Sequence, residues 1–132
     1  MSKYVYPAIF TPEASGAYSI EFPDVEGCYT CGDSLPDGIE MAEDALALML
    51  YEYERDGRTI PEPSPASVLF LPENSFVNYI MCDTLKYRKM HNNKAIKKTL
   101  TIPEWLNELA VSNHLNFSQI LQDALKQRLN LF

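Results

Sequence analysis

Apolar and polar residues alternate along much of this chain, first at the period of a strand and later at that of a helix. Tyr4-Val5-Tyr6-Pro7-Ala8-Ile9-Phe10 reads as a first strand, with Pro7 expected at an edge or a bulge because it cannot donate to a ladder. Residues 11–16 are turn-like. Tyr18, Ile20 and Phe22 then alternate with polar neighbours in a second strand. After the turn chemistry of Pro23-Asp24 and Glu26-Gly27, residues 28–32 form a short third strand that completes an antiparallel meander. The period then changes. Ser34 is an expected N-cap, with Asp37 three residues on as a weak capping box. Ile39, Ala42, Leu46, Met49 and Tyr53 follow at steps of three or four as a core-facing stripe. Gly57 can end that helix in the left-handed conformation. Its outer face carries Glu40, Glu43, Asp44, Glu52 and Glu54, expected as a solvated surface.

Ile60-Pro61-Glu62-Pro63-Ser64-Pro65 is too proline-rich for a helix or a central strand and is expected to be extended. Val68-Leu69-Phe70-Leu71 is an apolar run that could add one strand. Residues 72–75 turn, and residues 76–82 read as a further buried strand. Residues 83–94 are polar and basic, and are expected as a solvated hinge. Lys86, Arg88, Lys89, His91 and Lys94 could touch phosphates there.

Residues 97–102 alternate again. Lys97, Thr99 and Thr101 share one face, and Lys98, Leu100 and Ile102 share the other. Pro103 suits the first turn of a following helix, whose inner face is Leu106, Leu109 and Ala110, with Trp105 near its edge. Asn113-His114-Leu115 breaks it. Asn116 caps a second helix, in which Phe117, Ile120, Leu121, Ala124, Leu125 and Leu129 form a regular apolar stripe. This strand–helix–turn–helix is too small to bury a core by itself, so it is expected to need a second copy.

The expected fold class is α+β: a β-β-β-α-β unit over residues 1–83, a linker over 84–94, and a β-α-α module over 95–132. The chain has 132 residues and a formal net charge of −7. The distribution of that charge says more than its sum. Residues 1–83 hold fifteen of the eighteen acidic residues and three of the eleven Lys/Arg. The rest of the chain sets eight Lys/Arg against Glu104, Glu108 and Asp123. A basic module facing a polyanion and an acidic one facing a basic protein would produce this asymmetry, although an acidic surface also serves solubility. No run approaches a membrane span, and the start lacks a signal-peptide pattern, so a cytoplasmic protein is expected.

Candidate chemistry is sparse. Cys28-Tyr29-Thr30-Cys31 is a CxxC, but a structural zinc site needs four ligands, and Cys82, His91 and His114 lie in other segments. A redox CxxC belongs at a helix N-terminus. In a strand, residues three apart face opposite ways, so buried or half-buried free thiols are expected. No spacing singles out a pair among Glu21, Asp24, Glu40 and Asp44, and no phosphate loop or nucleophile motif occurs. No enzyme activity, cofactor or metal is expected. The basic ribbon carries more. If two copies pair residues 97–102 antiparallel, Leu100 and Ile102 enter a shared core. Lys97, Thr99 and Thr101 of both chains then face outward as a two-stranded ribbon suited to the major groove. The start of the last helix, at Asn116, Phe117 and Ser118, offers free N–H groups to a phosphate.

Lys98-Thr99-Leu100-Thr101-Ile102-Pro103 together with Asn116-Phe117-Ser118-Gln119-Ile120-Leu121 resembles a ribbon-helix-helix DNA-binding module. By that resemblance Lys97, Thr99 and Thr101 are the base-reading positions, and Asn116, Phe117 and Ser118 clamp phosphate. Phe22-Pro23-Asp24, Glu26-Gly27-Cys28, Gly32-Asp33, Ala42-Glu43-Asp44-Ala45-Leu46, Asp56-Gly57 and Ile60-Pro61-Glu62-Pro63-Ser64 resemble the HicB family of antitoxins. Cys31 lies outside that pattern. The resemblance implies a degenerate RNase H-like N-terminal domain that blocks a HicA-type RNA-cleaving toxin, and a C-terminal module that represses the operon of the pair. The need of the C-terminal module for a second copy makes a homodimer the expectation, and two such dimers joined through the N-terminal domains could span adjacent half-sites as a tetramer. The toxin-contacting residues are not implied. A ligand-sensing ribbon-helix-helix regulator without a toxin partner is the alternative, and an active RNase H-like nuclease is a third.

Overall fold

The computed structural model describes residues 2–131. The chain divides into two compact units, residues 1–94 and 95–132.

The first unit is an antiparallel sheet with a helix on one face. Strands β1 (Lys3–Pro12), β2 (Tyr18–Glu21), β3 (Tyr29–Gly32) and β4 (Phe76–Asp83) lie in the order β3-β2-β1-β4. Tyr6, Ala8 and Phe10 of β1, Ile20 of β2, and Ile80 and Cys82 of β4 share the inner face. Helix α1 (Leu35–Arg55) covers them with Ala42, Leu46, Ala47 and Leu50. Its start is set as the capping rule predicts: the Asp37 N–H donates to the Ser34 hydroxyl at 3.2 Å, and the Asp37 carboxylate accepts from the Asp33 N–H at 2.9 Å. It ends at Asp56, followed by Gly57 at φ +68°.

The apolar stripe of α1 is rotated from the expected one. Gly38, Ala42, Leu46, Leu50 and Tyr53 are buried, whereas Ile39 is 40% exposed and Met49 packs only at the margin of the core. The cause is a backbone contact. A Cβ on Gly32 of β3 would collide with Gly38 Cα and N, so the two main chains touch at the first turns of the helix. That contact turns the Gly38 side inward and Ile39 outward.

Pro7 is neither on an edge strand nor at a bulge. β1 is an inner strand, and its ladder with β4 runs unbroken from Lys3↔Asp83 to Phe10↔Phe76. Its ladder with β2 covers only Ile9↔Glu21 to Pro12↔Tyr18. Pro7 therefore lies beyond the end of β2, where its missing N–H leaves no bond unmade.

β4 is an edge strand, as β3 is at the other side of the sheet, and it is not buried on both faces: Tyr79 and Met81 are each 60% exposed. The run 68–71 adds no strand. A short 3-10 turn at Ala66–Val68 precedes it, and Val68 and Phe70 stand in solvent between Pro65 and Pro72. The proline-rich stretch before it forms neither helix nor strand, is extended at Pro65, and is tied down at two points. The Tyr6 hydroxyl donates to the Pro61 carbonyl, and the Ser64 N–H donates to Asp24 at 2.9 Å.

The expected linker at 84–94 is mostly a helix, α2 (Thr84–His91), and it belongs to the first unit. Asp83 caps it by accepting from the N–H groups of Leu85 and Lys86 at 3.0 and 3.4 Å. Arg88, Lys89 and His91 fall in its last turn, where cations suit the helix dipole. A polar, basic stretch reads as a hinge by composition, but here its caps and its packing on α1 make it a helix.

The second unit holds α3 (Glu104–Ser112) and α4 (Phe117–Arg128). His114, at φ +55°, makes the turn between them, and Pro103 is the N-cap of α3 rather than a residue of its first turn. Residues 97–102 form no ladder within the chain, so the expected strand is not present in the single copy. The reason is that a strand exists only against a partner strand. Among the described residues of this unit only Ala110 is buried, and Leu106 and Leu109 of the expected inner face are largely exposed.

Candidate nucleic-acid interface

Residues 98, 100 and 102 and the start of α4 form one side of the second unit. Leu100 and Ile102 line a groove of about 500 Å³ with Phe117, Ile120, Leu121 and Ala124. The wall is mostly apolar, with Lys98, Asn107 and Ser118 completing it, yet Leu100 and Ile120 are still 57% and 47% exposed. Lys97, Thr99 and Thr101, of the other parity, do not line the groove and stand in solvent. The first turn of α4 is open. The Asn116 side chain accepts from the Gln119 N–H at 3.0 Å, while the N–H groups of Phe117 and Ser118 have no partner among the described residues. The Phe117 ring lines the groove, so only its main chain is free for an anion.

In the first unit, the outer faces of α1 and α2 enclose a shallow cleft of about 190 Å³ bearing Glu40, Glu43, Asp44 and Asp83, with Lys86 and His91 at its wall. His91 is stacked on Tyr87 at 4.3 Å. The CxxC is split by burial. Cys28 is enclosed as expected, but Cys31, on the outward side of its strand, is exposed rather than buried or half-buried, so the two thiols face different surroundings. Burial pushes the Cys28 thiol up to about 11. Burial first, then nearby carboxylates, pushes Cys82 up to about 12. Among the described residues no group of His, Cys, Asp and Glu is placed to hold a metal ion.

Residues 6–125 match the family model described as the HicB-like antitoxin of bacterial toxin–antitoxin systems. The chain belongs to the HicB-like antitoxin family. It is 27% identical to Antitoxin HicB 2 of Photorhabdus laumondii over 128 residues, which is 95% of this chain and 91% of that one. It is 37% identical to Antitoxin HicB of Escherichia coli K12 over 60 residues, 46% of this chain and 44% of the other. Among solved structures, a chain of a toxin–antitoxin complex from Streptococcus pneumoniae superposes with a TM-score of 0.62 at 27% identity, covering 96% of this chain and 99% of that one. The antitoxin HicB of Burkholderia pseudomallei shares the fold at a TM-score of 0.53 and 17% identity, over 98% of each chain. The α+β architecture, with one antiparallel sheet and four α-helices among the described residues, is thus that of HicB antitoxin structures.

One residue of this HicB-like chain has a role its periodicity conceals. Glu54 falls on the expected solvated face of α1, but it is the point where three elements meet. It accepts from the Tyr4 hydroxyl at 2.7 Å and the Thr84 hydroxyl at 2.9 Å, and pairs with Arg88 at 3.2 Å. The Arg88 guanidinium also lies over the Tyr51 ring at 4.7 Å. The available signal is local: Thr84 and Arg88, four apart after the Asp83 cap, face the same way. Among the described residues no helix is long and apolar enough to cross a membrane.

Proposed function

We propose that this chain is a non-catalytic cytoplasmic antitoxin that neutralises a basic, mRNA-cleaving HicA-type toxin through its first unit and represses its own operon through its second. In this reading the first unit is a degenerate RNase H-like domain and residues 95–132 are a ribbon-helix-helix half. The observation that carries the proposal is the parity of residues 97–102. Leu100 and Ile102 line an apolar groove with α4, and Lys97, Thr99 and Thr101 are left in solvent. Two copies pairing those segments would bury the grooves together and set the lysines and threonines side by side for base edges. Asn116, Phe117 and Ser118 would hold a backbone phosphate at the start of α4. The acidic residues of the first unit would steer a basic toxin toward it, acting on the rate of encounter more than on affinity.

The test is a triple variant, Lys97→Ala, Thr99→Ala, Thr101→Ala, in the full chain. Operator binding should be lost in a mobility-shift assay while toxin neutralisation on co-expression persists. Retained operator binding would refute the assignment of the ribbon, and joint loss of both activities in a folded variant would refute their separation.

A further inference from the structure

The run Val68-Leu69-Phe70-Leu71 adds nothing to the core, yet the chain holds it in place. Among the described residues Phe70 is the most exposed large apolar side chain, at 87%, and Val68 is 69% exposed. Leu69 between them is half-buried. No described residue hydrogen-bonds to the main chain of Phe70 or Leu71.

Both ends of the loop that carries this run are tied. Before it, the Asp24 carboxylate accepts from the Ser64 N–H at 2.9 Å and from the Ser64 hydroxyl at 2.5 Å. A 3-10 turn follows, in which the N–H groups of Val68 and Leu69 donate to the carbonyls of Pro65 and Ala66, each at 3.2 Å. After it, the Ser75 N–H donates to the Pro72 carbonyl at 3.0 Å across a turn with Asn74 at φ +66°. The Ser75 and Thr11 hydroxyls share a bond of 2.8 Å that fixes this end to β1. Pro65 and Pro72 stiffen the backbone between the two anchors. An aromatic side chain carried into solvent by a tied loop has little freedom left to lose on binding, and such residues dominate protein contacts.

We infer that Phe70 and Val68 form an apolar peg by which the first unit grips its toxin, entering a pocket beside that protein's cationic surface. The charge around the peg selects the partner. Residues 59–75 hold Glu62 and Glu73, both exposed, and no lysine or arginine. Such a surface repels a polyanion, so it does not serve the operator. In a two-fold contact between copies it would set the same carboxylates against each other, which opposes self-pairing. A basic protein meets it with the opposite sign. An apolar centre inside a charged rim is also the anatomy of a contact between proteins. The inference rests on the proposed function for the identity of the partner and assigns the contact that reading leaves open.

The test is calorimetric titration of the purified full chain with the purified product of the small basic reading frame beside its gene, for the parent and for Phe70→Ser. Phe70 is almost wholly exposed, so the melting curve, particle mass and operator shift should stay those of the parent. Affinity for the toxin should fall ~30-fold or more, the loss that marks a buried aromatic anchor. Asp24→Ala, which frees Ser64 without touching the peg, should weaken binding by ~2–10-fold, the cost of ordering the loop on contact. Equal affinity of Phe70→Ser and parent overturns the inference. A fall in particle mass in Phe70→Ser also overturns it, since the loop would then join copies of this chain. Unchanged affinity in Asp24→Ala overturns the part assigned to the Asp24–Ser64 tie. A parent chain that binds no such toxin overturns the proposed function, and this inference with it.

Discussion

Replacing Gly32 by alanine should separate α1 from the sheet at the point where they are closest. The added methyl would sit well under 3.0 Å from the Cα and N of Gly38 and 3.0 Å from the carbonyl carbon of Asp37. All three are main-chain atoms of the first turns of α1, so no rotamer change relieves the clash. The Gly38 atoms would lie at 2.4 Å, so restoring ordinary contact of 3.4–4 Å requires helix and strand to part by about 1 Å or more. That movement loosens the packing of Ala42 and Leu46, which are fully buried below it. Overpacking of this kind costs ~1–3 kcal/mol, and each kcal/mol lowers the melting temperature of a domain of this size by ~4–8 °C. Gly38→Ala is the informative contrast. Its methyl would meet Ile20 Cδ1 at 3.2 Å and Phe10 Cε2 at 3.4 Å, both ends of side chains. The alanine also gains ~1 kcal/mol of helix propensity, so its net effect should lie within ~1 kcal/mol of the parent. Urea and thermal unfolding of both variants, followed by far-ultraviolet circular dichroism, measure the difference. If Gly32→Ala melts like the parent, the close approach of β3 and α1 is wrong.

Glu54→Ala should cost ~2 kcal/mol by removing the acceptor that the Tyr4 and Thr84 hydroxyls share and the carboxylate that pairs with Arg88. Glu54→Gln, which still accepts from the hydroxyls, should cost less; equal losses in denaturant titrations would show that the Arg88 pairing adds nothing. A thiol reagent at mildly alkaline pH should label Cys31 at once and Cys28 and Cys82 only as the protein opens, because both buried thiols are held protonated; rapid labelling of all three would refute their burial. Stability should fall as pH rises above about 9. Cys28 and Cys82 have folded values of about 11 and 12 against an ordinary 9.0, and Tyr4, raised by burial and by Glu54, about 12 against 10.0. In each case the folded chain keeps a proton that the unfolded chain gives up, so the stabilisation is complete below the ordinary value and is lost through the folded one. A stability profile that is flat from pH 9 to 12 in denaturant titrations would contradict this.

Local chemistry was legible wherever it is self-contained. The meander, the Ser34 and Asn116 caps, the stop at Gly57 and the break at His114 depend on neighbours within a few residues, and the structure places each where the pattern does. The site was legible only as a parity. Alternation divides residues 97–102 into two faces, and in the single chain one face lines a groove while neither is buried. The 84–94 stretch reads as a linker by composition, whereas its helix depends on the Asp83 cap and on Glu54, thirty residues or more away in the chain.

By itself, the sequence determined most of the kinds of element and their order, and the acidity of the sheet-and-helix unit. Four of the eight basic residues after position 83 belong to that unit, so the second unit, with Lys97, Lys98, Lys126 and Arg128 against Glu104, Glu108 and Asp123, is close to neutral. Period, capping and charge are properties of residues close together in the chain. Only the tertiary structure decided that β1 is internal and β4 an edge, that α1 turns Gly38 and not Ile39 inward, and that Glu54 holds three elements together. Those outcomes depend on which segments meet across long stretches of chain. Strand order, close backbone approach and a shared hydrogen-bond acceptor leave almost no mark on hydrophobic period.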